Sequence, residues 1–236
     1  MATIHPMEYE QLKHNLATVL MRVRLAEEKF QRISHSCELL AVSKTRPAED
    51  LKSAWELGQR AFGENYLQEA LEKMEALSGL DISWHFIGPI QSNKTRAIAE
   101  HFHWVHSVDR FKIARRLSDQ RPPGLAPINL CLQVNISGED SKSGVREDEL
   151  PELVAQVRDL PNVALRGLMA IPEPSQEPER QREPFARMRQ LLEGLRANAP
   201  ELDTLSMGMS ADLEAAIAEG ATLVRVGTDI FGPRNG

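Results

Sequence analysis

The chain has 236 residues, 42% hydrophobic and 26% charged, which is long enough to bury a core without disulfide or metal staples. A formal net charge of −6 argues against a general binder of nucleic acid or of membrane surfaces, both of which call for a basic patch or stripe. No apolar run approaches the roughly 18 residues of a membrane span, and the opening MATIHPMEYEQ lacks a basic-then-apolar leader pattern, so the expected location is cytoplasmic.

In chain order, the first element is a helix over about Glu8–Ile33, where Leu12, Leu16, Val19, Leu20, Val23 and Ala26 recur at helical spacing. Residues 1–36 read as a helical extension, and residues 1–236 as a single domain. Short apolar runs then alternate with amphipathic segments. Eight strand candidates follow: Glu38–Ser43, Arg60–Gly63, Trp84–Gly88, Trp104–Ser107, Ile128–Asn135, Ala164–Ala170, Thr204–Met207 and Thr222–Val226. Helical patterns start between them near Pro47, Asn65, Asn93, Arg110, Glu147, Pro184 and Ala211. Pro47 and Pro184 suit a first helical turn, and Asp109 suits a cap. Pro172–Pro184, rich in Pro, Glu, Gln and Arg, reads as a surface loop. Eight strand-then-helix units predict an α/β fold, a closed (β/α)8 TIM barrel with an extra N-terminal helix; an open doubly wound sheet is the alternative. The two cysteines, Cys37 and Cys131, sit in strand-like runs. They read as buried thiols of a reducing compartment. No spacing suggests a metal site.

Three places carry chemistry. Lys44 ends the run Leu39-Leu40-Ala41-Val42-Ser43, at the barrel face where active sites form. It shares parity with Leu40 and Val42. If that side is the barrel interior, desolvation lowers its pKa from about 10.4 and leaves free amine to form an imine; otherwise it is a snorkelling strand-end lysine. The ends of strands seven and eight read Ser206-Met207-Gly208-Met209-Ser210 and Val224-Arg225-Val226-Gly227-Thr228. In barrels these loops often bind phosphate. Ser210 sits where it would cap a helix Ala211–Ala218, and Asp212 counts against an anion there. Arg225 lies within an apolar strand and needs a partner, either an ion pair in the barrel or a ring nitrogen to which it donates. Arginine keeps its proton, so such a ring nitrogen stays unprotonated and the ring is a weaker electron sink.

Eight runs together resemble the pyridoxal phosphate homeostasis family (the YggS/PROSC family), related to the N-terminal barrel of alanine racemase. They are Ala41-Val42-Ser43-Lys44-Thr45, Phe62-Gly63-Glu64-Asn65-Tyr66, Trp84-His85-Phe86-Ile87-Gly88, Gln91-Ser92-Asn93-Lys94, Ser141-Lys142-Ser143-Gly144, Arg166-Gly167-Leu168-Met169-Ala170, Ser206-Met207-Gly208-Met209-Ser210 and Val224-Arg225-Val226-Gly227-Thr228. The resemblance implies a (β/α)8 barrel like that of alanine racemase. It implies pyridoxal 5′-phosphate held as a Schiff base on Lys44, its phosphate at Ser210, Gly227 and Thr228, and its pyridine nitrogen at Arg225. Asn65, His85 and Met169 match motif positions near the family pocket. Asp229 stands where the family pattern has a small residue. Lys142 is either a second reactive amine or a solvated loop lysine.

Two functions follow. One is a cofactor carrier that buffers pyridoxal phosphate or delivers it to apoenzymes, as a monomer without a dedicated reaction. The other is a fold-type III amino-acid racemase or decarboxylase. Racemisation needs bases on both faces of the substrate Cα. In alanine racemase, the resemblance implies, one of them is a tyrosine of a second domain, for which this chain has no residues left. Its two tyrosines are Tyr9 and Tyr66.

Overall fold

The computed structural model describes residues 5–138 and 143–233. Ser141 and Lys142, and the last three residues, lie outside the described residues. Among the described residues eight parallel strands, β1 (Glu38–Val42), β2 (Ala61–Glu64), β3 (Ser83–Phe86), β4 (Trp104–Val108), β5 (Ile128–Gln133), β6 (Val163–Met169), β7 (Thr204–Ser206) and β8 (Leu223–Val226), pair in sequence order. The last pairs with the first, in the register Leu39↔Val224 and Leu40↔Arg225. The sheet therefore closes into a barrel, and the open-sheet alternative is set aside.

Helices α1 (Tyr9–Lys29), α2 (Ala48–Glu56), α3 (Leu67–Ala76), α4 (Thr95–His101), α5 (Phe111–Gln120), α6 (Leu150–Arg158), α7 (Pro178–Leu195), α8 (Leu213–Ala218) and α9 (Thr228–Phe231) occupy the outside. α1 precedes the first strand. It buries Leu12, Leu16, Val19, Val23 and Ala26 along one stripe, packed over α8, α9 and α2. Its last turn is tied to β1 by the buried Glu27, which accepts from the Cys37 amide at 2.8 Å, the His35 amide at 3.0 Å and Arg24 at 2.6 Å. Burial works against ionising this carboxyl, but these donors outweigh it and hold its pKa below the usual range.

Several local expectations are corrected. Pro184 does not start a helix. The first-turn proline of α7 is Pro178, and Pro184 lies inside the helix. The missing N–H of Pro184 frees a carbonyl in the exposed opening turns, where water can satisfy it. The segment read as loop up to Pro184 is therefore loop only as far as Glu177. Asp109 does not cap α5. The N-cap is Arg110, and Asp109 pairs with that arginine's side chain at 3.2 Å. Ser210 does not cap α8 either, because that helix begins at Leu213 after an Asp212 N-cap.

The main apolar core lies between the strands and the helices. Inside the barrel, Leu40, Ala61 and Leu223 form a smaller apolar plug, with Ile87 packed against it. Strand β6 meets β7 in the register Gly167↔Thr204, and a Cβ added at Gly167 would collide with the Thr204 carbonyl oxygen. Gly167→Ala is expected to destabilise the barrel by about 1–3 kcal/mol, the range for overpacking, read as a lowered urea midpoint at unchanged m-value.

Candidate functional site

A cleft of about 320 Å³ opens among the C-terminal ends of the strands, within the size range of small-molecule sites. It brings together Lys44, Asn65, Ser210, Arg225, Gly227 and Thr228. Val42 and Lys44 both line it, while Leu40, of the same parity, sits in the plug beneath. His85 and Met169 do not line it. Both are buried, with His85 on β3 beneath Ile87 and Met169 at the end of β6. Thr45, Arg46, Ile87 and Phe231 also line the cleft. Arg46 draws the chain's tail over it by donating to the Gly232 and Pro233 carbonyls at 2.6 and 2.9 Å.

The backbone around Lys44 is clamped from behind. Lys73 of α3 is 5% exposed and donates to the Ser43 carbonyl at 2.7 Å, to Glu64 at 2.7 Å and to Glu69 at 2.5 Å. The Ser43 hydroxyl donates to Glu64 at 2.6 Å, and the Thr45 amide donates to Glu69 at 2.6 Å. The residues on both sides of Lys44 are thus held by one buried charge cluster. Thr45 has φ +64°, a left-handed conformation that a β-branched side chain strains to adopt, at a cost of about 1–3 kcal/mol. The Glu69 contact helps retain it. Burial lifts the Glu64 carboxyl above its usual range, against the pull of Lys73. Sequence reading missed this cluster. Its signals were a glutamate ending the apolar run Ala61-Phe62-Gly63-Glu64 and the i, i+4 pair of Glu69 and Lys73.

The opposite wall is held from the N-terminal helix. Arg22 of α1 donates to both carboxylate oxygens of Glu214 at 2.9 and 3.1 Å, to Asp229 at 2.7 Å and to the Ser210 carbonyl at 2.9 Å. One guanidinium thus fastens both loops expected to meet a phosphate. The carboxylates that counted against an anion are engaged elsewhere: Asp229 by Arg22, and Asp212 by the Met209 amide at 2.7 Å. Gly227 packs against β1, where an added Cβ would lie 3.1 Å from the Val42 carbonyl oxygen.

The donor set suits an aldehyde-bearing aromatic phosphate. The cleft places an amine, two hydroxyls beside a close-packed glycine and a buried arginine around one space. Asn65 contributes a side-chain Oδ1 that is buried without a hydrogen-bond partner. Such an atom costs stability unless a bound group meets it.

The match to known proteins runs along nearly the whole chain. Residues 9–235 match the family model of the alanine racemase N-terminal domain. A pyridoxal phosphate homeostasis protein of Pseudomonas aeruginosa is 60% identical over 224 residues, covering 95% of this chain and 96% of that relative. The chain belongs to the pyridoxal phosphate homeostasis family. The Escherichia coli member is 51% identical over 227 residues, with 95% of this chain and 97% of the relative covered. Among solved structures, PipY of Synechococcus elongatus with PLP bound superposes with a TM-score of 0.82 at 38% identity, over 94% of this chain and all of that one. Alanine racemase of Clostridium difficile shares the fold at 13% identity and TM-score 0.75, matching 96% of this chain but 58% of the racemase.

Two outcomes test the site as built. Lys73→Met leaves Glu64 and Glu69 without their cation and is expected to cost about 3–5 kcal/mol of stability, with part regained in Lys73→Met/Glu64→Gln; chemical denaturation reads both. Burial, with a contribution from His103, pushes His85 down to about 3, and burial also holds His106 well below the ordinary value. The unfolded chain therefore takes up protons from about pH 6.5 that the folded state refuses. Stability from these groups is complete above that pH and falls below it, by about 1.4 kcal/mol per pH unit for each histidine. Denaturation should show the onset of that loss between about pH 7.5 and 5.5, about 1.4 kcal/mol per histidine over the whole window, and His106→Asn should reduce it.

Proposed function

We propose that this protein binds pyridoxal 5′-phosphate through Lys44 and acts as a cytoplasmic carrier that buffers the cofactor or delivers it to apoenzymes, the whole chain working as one cofactor-binding domain and as a monomer. The observation that carries this reading is the convergence of an amine, a phosphate-sized hydroxyl and backbone wall and a buried arginine in one cleft, in a chain 38% identical to PipY, whose structure holds PLP.

When bound, the cofactor supplies an aldehyde that an amine can capture reversibly. The roles of the protein groups follow from their placement. Lys44 is the point of attachment, held in direction by the Ser43 and Thr45 contacts. Ser210, Thr228 and the backbone at Gly227 bind the phosphate, on loops that Arg22 fastens. Arg225 donates to the ring nitrogen, and Asn65 meets a polar edge of the ring. His85 and Met169 support the site from beneath rather than touching the cofactor.

The carrier reading is favoured over a racemase by what surrounds the attachment point. Tyr9 lies on α1, and Tyr66, at the start of α3, is 54% exposed, so neither is held as a second base. The relatives carry the name of homeostasis proteins. Both cysteines are unpaired and buried, in keeping with a reducing compartment.

Absorption spectra of the protein supplied with cofactor test the assignment. Wild type is expected to show the visible band of lysine-linked cofactor, and Lys44→Ala to lose it. Ser210→Ala and Thr228→Ala should keep the band but weaken retention by about 1.5–3 kcal/mol each, the worth of a hydrogen bond to a charged group. Turnover of any amino acid at about 1 s⁻¹ or more, the low end of enzyme rates, would overturn the carrier reading.

A further inference from the structure

Behind Arg225 the barrel interior holds a line of polar side chains, Ser206, His106, His85 and Ser83, that do not line the cleft. Arg225 is 4% exposed, and among the described residues no carboxylate forms a hydrogen bond or ion pair with it. Its Nη1 donates to the Ser206 Oγ at 2.7 Å and its Nη2 to the Ala170 carbonyl at 2.9 Å. Behind Ser206, the Oγ lies 2.7 Å from His106 Nδ1. His106 Nε2 lies 2.8 Å from His85 Nδ1, and His85 Nε2 lies 3.1 Å from the Ser83 Oγ. The line crosses from β8 through β7 and β4 to β3 and ends near the floor of the barrel.

Its direction follows from two facts: arginine has no acceptor, and among the described residues the Ser206 hydroxyl has no acceptor for its own proton other than His106 Nδ1. Ser206 therefore accepts from Arg225 and points its proton to His106 Nδ1. His106 then carries its proton on Nε2 and donates to His85 Nδ1. His85 in turn carries its proton on Nε2 and donates to Ser83. Every proton points away from the guanidinium, and every group turns a lone pair toward it. We propose that Ser206, His106, His85 and Ser83 are positioning residues that form a one-way hydrogen-bond column, a neutral substitute for a bonded carboxylate, holding Arg225 as a cation with free donors for an unprotonated aromatic ring nitrogen in the cleft.

A carboxylate in place of Ser206 would take the guanidinium in a bidentate pair and cancel its charge where the low dielectric makes that charge strongest. The column anchors the arginine and leaves the charge. It also commits two of the five guanidinium N–H groups to protein acceptors, so donors remain for a ligand. The surroundings agree. Burial keeps both imidazoles neutral, as the column requires. Arg225 is lowered by burial to about 10 and stays charged at neutral pH. The nearby Cys131 thiol is pushed by burial up to about 12 and adds no anion. Asp212 acts on Arg225 electrostatically without a bond to it, its carboxylate accepting instead from the Met209 amide.

The ring-nitrogen contact rests on the proposed cofactor; the column itself does not, and the two are tested apart. Long-range ¹H–¹⁵N NMR of the cofactor-free protein reads the tautomers directly. Both rings are expected as neutral Nε2–H tautomers from pH 8 to 5. An Nδ1–H tautomer, or titration of either ring near pH 6.5, would refute the column without touching the carrier reading. Ser206→Ala removes the proton that fixes His106 and should release its tautomer, weaken retention of pyridoxal phosphate about ten-fold and shift the pH midpoint of the visible band. Ser206→Thr, which keeps the hydroxyl, should restore all three. Released tautomers with unchanged retention and an unchanged midpoint would reduce the column to packing and sink the positioning role. Wild type that binds no cofactor would instead sink the carrier reading, leaving the NMR result to decide the column.

Discussion

The ammonium of Lys73 sits in the wall of the barrel with almost no access to water, between two carboxylates and against the carbonyl of Ser43. Much of the site depends on that arrangement. A lysine side chain is long and free to wander, and a reversible covalent partner needs it aimed. The aim comes from the backbone. The cluster grips the residue before Lys44 by its carbonyl and hydroxyl, and the residue after it by its amide, in a conformation that Thr45 would not choose. A buried lysine–glutamate pair with a half-buried second glutamate is an expensive way to hold a turn, and it lies directly behind the proposed attachment point.

The other half of the site is assembled by different means. Ser210 and Thr228 stand on loops after adjacent strands, and what connects those loops from outside is α1, an element added before the barrel begins. Its apolar stripe seats it over α8 and α9, and Arg22 then reaches the ends of both loops. The N-terminal helix is in this sense part of the cleft wall. Asp229, out of keeping with the family pattern when read along the sequence, is explained by the same contact, since it supplies a carboxylate to Arg22.

The barrel was legible in the sequence because parallel strands covered on both faces must be short continuous apolar runs, and eight such runs separated by helical patterns leave few other solutions. That Lys44, Ser210, Arg225 and Thr228 share one cleft was legible for the same reason: they lie at or just past the C-terminal ends of strands. The details that failed were local and tertiary. Ser210 looked like a cap because capping preference belongs to residue type, while the actual start of α8 is set by Asp212 turning back to Met209. Pro184 looked like a helix start because the sequence does not show that Pro178 had already begun one. His85 and Met169 matched motif positions, yet the closed barrel sets both beneath the cleft. The Lys73 cluster joins residues from β1, β2 and α3, and no single stretch announces it.

The two walls of the cleft answer to different properties of the surrounding solution. The Lys73–Glu64 pair and its hold on Ser43 are out of reach of mobile ions, so that part of the aim of Lys44 is insensitive to ionic strength. Arg22 and its partners Glu214 and Asp229 are about one-third to one-half exposed, and dissolved salt screens contacts of that kind. If the phosphate binds where proposed, a rise in ionic strength therefore slackens the loops that would hold it more than it disturbs the hold on Ser43. A carrier built this way has a release dial that lies outside its covalent chemistry.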